Sequence, residues 1–213
     1  MDEEISIINQ KTRIENIKYF FKNNLKKIII FFIFFFVILI TFFIFDLIKS
    51  KNRDQIAQQY NNLILNKKNY SKSELNDSLK EIILFKDKTY SPLSLYYIID
   101  NKLENQNDVV NKLFDEIISI KQNKEDQNLI IYKKALYNSD QYTENEMLLT
   151  LNPVINSESI WKQHGLMLMG DYYFNKKELI KSREFYEKIL QLENLNLKIK
   201  LDAEKRLIRD LSE

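Results

Sequence analysis

Cysteine is absent from the 213 residues, and histidine, tryptophan, glycine and proline are nearly so, at one, one, two and two. Without cysteine there is no disulfide framework, no thiol nucleophile and no thiolate metal site. The single histidine, His164, excludes a His-rich zinc centre or a His-x-x-x-His pair. Two isolated glycines, Gly165 and Gly170, exclude a phosphate-binding loop or a dinucleotide fingerprint. Scarce Gly and Pro also argue against a β-sandwich, whose turns depend on them. Long uninterrupted stretches are left for helices. A net charge of only +2 carries no strong pull toward nucleic acid.

Carboxylates are plentiful, so a two-carboxylate hydrolase is formally conceivable. Yet Asp115-Glu116, Glu125-Asp126 and Glu184 with Glu187 alternate with lysines as solvated helix surfaces do. An exported hydrolase is therefore the weakest reading. A non-enzymatic protein is expected, with no catalytic residue, cofactor, metal or small-molecule substrate. His164, beside Trp161 and Leu168, reads as a packed or groove-lining side chain.

What the chain does have is one apolar run. Ile28 to Phe45 reads IIIFFIFFFVILITFFIF, 17 of 18 positions apolar and none charged. As a helix it rises about 27 Å, close to the ~30 Å hydrocarbon core of a bilayer. Each apolar residue contributes roughly −0.3 to −0.6 kcal/mol to insertion, so the run sums to order −5 to −10 kcal/mol, far more than Thr41 offsets. The run exceeds the 7–15 residues usual in a cleaved signal peptide. Asp46, Leu47, Ile48 and Lys49 follow it, in place of a small-x-small cleavage site. Three segments are expected: a basic cytoplasmic segment 1–27, a transmembrane signal anchor 28–48, and a soluble domain 49–213. Arg13 to Lys27 carries five Lys/Arg and Asp46 to Tyr60 three. The positive-inside rule then keeps the N-terminus in the cytoplasm and exports the domain.

From residue 53 onward helical periodicity recurs, and strand-like alternation does not. Leu75, Leu79, Ile82 and Ile83 share a face; so do Val110, Leu113, Phe114 and Ile117. Ser71 with Glu74 and Thr143 with Glu146 form capping boxes, and Ser91-Pro92 reads as an N-cap followed by a first-turn proline. Trp161–Phe174, Leu179–Leu190 and Leu197–Leu211 complete eight or nine helices of about 10–17 residues. Helices this short are marginal alone and must stack, as in an α-solenoid of paired helices.

The last pair resembles a tetratricopeptide repeat. Leu166, Met169, Gly170 and Tyr173 fit the first-helix positions; Ser182, Tyr186 and Ile189 fit the second. In that pattern Gly170 faces Ser182 at the helix crossing, and Tyr173 and Tyr186 fill the flanking gaps. Ile189 is bulkier than the usual alanine, Asn194 stands where proline is common, and earlier pairs match loosely. The resemblance implies an all-α, tetratricopeptide-like solenoid; a plain helical bundle is the simpler alternative. It turns His164, Met167, Asp171 and Phe174 toward the concave face, where solenoids hold partner segments.

Ahead of the span, residues 14–26 read I-E-N-I-K-Y-F-F-K-N-N-L-K. This resembles the YfgM-type, tetratricopeptide-like ancillary subunits of the bacterial Sec translocon. Glu15, Lys18, Phe20, Phe21, Asn24 and Lys26 match the family's juxtamembrane pattern. Leu25 replaces its glycine, and the tryptophans usual beyond the span are missing. The order of parts matches over nearly the whole chain. The resemblance implies a single-pass inner-membrane protein whose periplasmic domain associates with the Sec translocon and periplasmic chaperones. The residues alone also fit an amphipathic segment on anionic headgroups, with Ile14, Ile17, Phe21 and Leu25 on one face, or simple orientation by positive charge. An adapter for another envelope assembly, in cell-wall synthesis or division, is the second functional reading.

Overall fold

The computed structural model describes residues 2–194 and 196–209, without the side chains of residues 2–17, 21, 49 and 209. Part of the juxtamembrane face (Ile14, Ile17 and Phe21), the Glu15 side chain and the expected helix end at Leu211 thus lie outside the described residues. Among those described, every regular element is a helix. The chain divides into two compact units, Met1–Gln55 and Ile56–Glu213.

The first unit lies within α1, Asp2–Leu65. Its stretch Lys22–Leu65 is long and apolar enough to cross a membrane, with a mean hydropathy of 3.4 over its most apolar window. Every large apolar side chain from Ile29 to Phe45 is at least 36% exposed among the described residues. Thr41 donates its hydroxyl to the Val37 carbonyl at 2.8 Å, leaving no unpaired donor there. The helix runs on past residue 49, the expected start of the soluble domain. It continues to Leu65, and the first buried side chain among those described is Ile56.

In the second unit, the end of α1 and a 3-10 turn (Lys67–Asn69) precede α2 (Lys72–Leu84) and α3 (Tyr90–Asp100). Then come α4 (Asn107–Ile118), α5 (Lys124–Tyr137), α6 (Glu144–Ile155), α7 (Lys162–Asn175), α8 (Leu179–Leu190) and α9 (Leu197–Arg209). Both expected capping boxes form, at Ser71/Glu74 and Thr143/Glu146. The Ser91 N-cap does not. Asp87 Oδ1 accepts from the Thr89 and Tyr90 N–H groups, starting α3 earlier, and the Ser91 hydroxyl donates to the Ile82 carbonyl. Pro92 still falls in the first turn, where no intrahelical donor is needed.

Helix ends are made without glycine. Lys102 and Lys177 take φ of 50° and 63° just past α3 and α7. The following amides reach back: Leu103 N–H to the Ile98 carbonyl and Glu178 N–H to that of Tyr173, both at 2.9 Å. These are Schellman closures built on lysine at a position that favours glycine.

Each helix from α2 to α8 packs on the next, and α2 on α4, α5 on α7 and α7 on α9 also meet. Side chains extend this alternate contact. Tyr60 of α1 meets Tyr90 of α3 at 5.6 Å, and Lys133 of α5 lies 4.3 Å above the Tyr96 ring of α3. Lys181 of α8 reaches Glu144 of α6 at 2.8 Å. Two apolar cores result. One joins the end of α1 to α2, α3 and α4, and the other joins α6 to α9; α5 gives Ile130 to the first and Ala135 to the second. Burying side chains such as Leu79, Ile98, Leu151 and Ile189 is worth roughly 1.5–3 kcal/mol each, which isolated helices of this length lack.

Polar ties cross between helices. Asn111 and Asn138 exchange amide hydrogen bonds at 3.0 and 2.7 Å. Glu104, in the loop before α4, accepts from Lys80 Nζ at 2.6 Å and from the Gln106 N–H at 3.0 Å. These donors hold its carboxyl near pKa 2, down from 4.5, the Lys80 bond contributing most. Because the folded pKa lies below the unfolded one, the stabilisation is complete above about pH 4.5 and disappears as pH falls through about 2.

Two outcomes follow. Glu104→Gln lowers stability by about 1–3 kcal/mol at pH 7, as loss of a charge-assisted bond does, and the gap from the parent closes toward pH 2 in urea titrations. Lys177→Gly, read in the same titration, raises stability by about 0.5–1 kcal/mol, because glycine adopts φ near +60° without a Cβ penalty.

Candidate functional site

The local chemistry of α7 sets the site. Gly165, Leu166, Met169, Gly170, Tyr172 and Tyr173 are buried toward neighbouring helices. His164, Met167 and Asp171 stay half-exposed on another side. There they line a groove of about 290 Å³. Tyr132 and Leu136 of α5 form one wall, and Lys198, Ile199, Asp202 and Arg206 of α9 the other. A second groove of about 390 Å³ continues along α5 and α7 toward Ser139, Asp140 and Asn175, sharing Leu136, Leu168 and Asp171 with the first.

One end is aromatic. Tyr132 stacks on Trp161 at 5.8 Å, and His164 touches Trp161 at 5.1 Å and Tyr132 at 5.8 Å. Burial lowers the His164 pKa below its ordinary value, so the imidazole is neutral at pH 7. Three half-buried rings give an apolar platform with polar edges, which suits stacking and hydrogen bonding rather than charge recognition.

The middle is held by an ion pair. Arg206 Nε lies 2.9 Å from Asp171 Oδ1, and a second guanidinium nitrogen donates to Oδ2 at 3.1 Å. The Tyr186 hydroxyl donates to the same carboxylate at 2.6 Å. Burial, then this bond, pushes the Tyr186 pKa up. Asp171 thus lines the groove as expected, but its carboxylate also joins α7, α8 and α9.

Of the four expected groove residues, His164, Met167 and Asp171 come together and Phe174 does not line this groove. It packs half-buried against the core formed by α6 to α9. Phe174 falls within about 20° of Met167 on a helical projection but about two turns further along α7, past Asp171, the last α7 residue to line this groove. Sequence spacing missed Leu168 and the α9 wall. The four-residue spacing of Lys198, Asp202 and Arg206, beside the buried pair Ile199 and Ala203, was the available signal.

The four repeat-packing residues, Gly170, Tyr173, Ser182 and Tyr186, are all buried. Their contacts refine the expected ones. Ser182 meets Gly170 through the backbone, its hydroxyl donating to the Gly170 carbonyl at 2.8 Å. The space left by the missing Cβ is occupied by the Tyr186 ring: a Cβ on Gly170 would lie 2.3 Å from Tyr186 Cε1. Tyr173 stacks on Phe185 at 5.5 Å and donates its hydroxyl to Glu144 at 2.8 Å.

No family model, curated protein or solved structure matches the chain. Among the described residues, no three His, Asp or Glu side chains gather as a metal site would require.

The glycine geometry separates two substitutions. Alanine gains about 1 kcal/mol of helix propensity over glycine, but overpacking costs about 1–3 kcal/mol or more. At Gly170 the ring is pinned by Asp171 and Ser182 sits alongside, so Gly170→Ala is net destabilising by about 1 kcal/mol or more. At Gly165 the nearest atoms are the Ile155 and Val154 methyls at 3.0 and 3.3 Å, which rotate or shift slightly. Gly165→Ala should therefore be closer to neutral, and paired denaturation midpoints check the order.

Proposed function

We propose that this protein is a membrane-anchored, non-enzymatic scaffold that associates with the Sec translocon and periplasmic chaperones to assist exported proteins. The observation that carries the scaffold reading is the aromatic-ended groove along α5, α7 and α9, on a chain that also has a helix long and apolar enough to span a bilayer.

The anchor reading rests on energetics. The sixteen exposed apolar side chains from Ile29 to Phe45 are strongly unfavourable in water, and a bilayer of matching thickness removes that cost. Five basic residues in Arg13–Lys27 against three after the span favour a cytoplasmic N-terminus and a periplasmic second unit. The tetratricopeptide-like solenoid reading draws support from the alternate-helix contacts and from the Gly170–Tyr186 crossing of the best-matched pair. Odd-numbered helices α5, α7 and α9 share one face, as first helices of successive pairs do in a solenoid. Translocon and chaperone partners come from the resemblance of Glu15, Lys18, Phe20, Phe21, Asn24 and Lys26 to the YfgM-type pattern. A groove without converging acid and base groups suits holding a partner segment better than transforming it.

Photocrosslinking in intact membranes tests this. A crosslinker at the exposed groove residue Lys198 should capture the Sec channel or a periplasmic chaperone. Leu136→Glu with Met167→Glu should cut that capture at least ten-fold while the circular dichroism spectrum stays unchanged, because neither side chain is fully buried. Asp171 is the wrong residue for such a test, since its loss would free α9. Capture of cell-wall or division proteins instead would move the protein to another envelope assembly. Extraction of the chain from membranes by carbonate would remove the anchor altogether.

A further inference from the structure

The outer face of α9 is apolar and bordered by lysines. Leu197, Leu201 and Ile208 are 70%, 46% and 71% exposed. On a helical projection they fall within about 40° of one another, opposite the buried pair Ile199 and Ala203. Lys200 flanks the stripe on one side and Lys205 on the other, both exposed. The single acid within it, Glu204, lies 3.9 Å from Lys200 Nζ. The groove-lining residues Asp202 and Arg206 point elsewhere, so this face is separate from the groove.

We propose that this face of α9 is a second membrane contact: Leu197, Leu201 and Ile208 enter the headgroup boundary of an anionic bilayer, while Lys200 and Lys205 pair with its phosphates. Charge complementarity selects the occupant, because an apolar stripe edged by lysines matches a negatively charged lipid surface. Area argues against a second copy of the chain. Thirteen helical residues give a stripe about 20 Å long and roughly 10 Å wide, far below the ~800 Å² per partner of a stable protein interface. A lipid surface demands no shape match, and one short stripe suffices when a tether already holds the domain nearby. The proposal takes the tether from the anchor reading above.

The lack of native cysteine makes the test direct. Full-length protein carrying Leu201→Cys, or Ile208→Cys as an independent second variant, is labelled with an environment-sensitive fluorophore. It is then reconstituted into phosphatidylcholine vesicles with or without phosphatidylglycerol. Ile180→Cys on α8, 78% exposed, is the control. Expected are a blue shift and quenching by lipid-borne quenchers at 201 and 208 only with phosphatidylglycerol, none at 180, and loss of both signals on Lys200→Glu with Lys205→Glu. A label that stays water-accessible on vesicle-bound protein overturns the contact and leaves the anchor standing. So does a label shielded from water but not from quencher-free protein neighbours, deepening with protein density, which identifies a second copy. Equal quenching without phosphatidylglycerol overturns the headgroup pairing. Protein that leaves the vesicles under carbonate refutes the anchor and the contact built on it.

Discussion

One ring holds the C-terminal half of the second unit together. Tyr186 of α8 fills the space that Gly170 of α7 leaves open, and its hydroxyl reaches Asp171, one residue further on. Asp171 in turn holds Arg206 of α9. Apolar packing, a hydrogen bond and an ion pair thus meet at two adjacent residues of α7. The order of these contacts matters physically. The ring can lie flat only against a glycine; the hydroxyl then lands where a carboxylate helps; and the carboxylate is sufficiently screened from water to hold a guanidinium. Only after these steps does the α9 wall of the groove stand in place. The groove is therefore a consequence of how the helices cross, more than of the residues that line it.

The two units treat their apolar area differently. In the second unit, short amphipathic helices hide their apolar faces against one another, and polar faces carry lysines, asparagines and acids. Residues 28–45 have no polar face to offer and, among the described residues, no covering neighbour, which is the pattern a bilayer-spanning helix would need. Both follow from one rule: apolar area must leave water, and the pattern of polar residues decides what receives it. The internal Thr41–Val37 hydrogen bond fits the same logic, since an apolar medium offers no alternative partner.

Much of the helix inventory was legible beforehand, and the reason is periodicity. Val110, Leu113, Phe114 and Ile117 recur at helical spacing and are all buried, and the two capping boxes mark their helices at the residue. What was not legible depended on contacts between distant residues. Ser91-Pro92 has the local look of a helix start, but Asp87 supplies the better acceptor, and Ser91 is drawn to the Ile82 carbonyl. Phe174 shares a helical row with Met167, yet it stands beyond the end of the groove, which on α7 reaches only to Asp171. Arg206 gave no local sign of reaching Asp171, 35 residues earlier. Gly170 was correctly singled out as a crossing residue. Its contact with Ser182 also forms, through the Gly170 carbonyl, and the Tyr186 ring expected beside the crossing lies directly in the space left by the missing Cβ.

The chemistry of the groove also constrains how any partner is held. Its charged centre is already neutralised by Arg206, and His164 is neutral, so the free energy on offer comes chiefly from the Tyr132–Trp161–His164 platform and from Leu136, Met167 and Leu168. Apolar contacts of this size support modest affinity and discriminate poorly among sequences. A freely diffusing protein with such a site would be a weak, unselective binder. Confinement to a membrane changes that balance, because a local concentration in the millimolar range lets weak contacts be occupied without being long-lived. On the proposed scaffold reading, weak, apolar, fast-exchanging contacts would let the protein meet many chains and release each one. The long apolar helix and the shallow groove make physical sense together, each supplying what the other lacks.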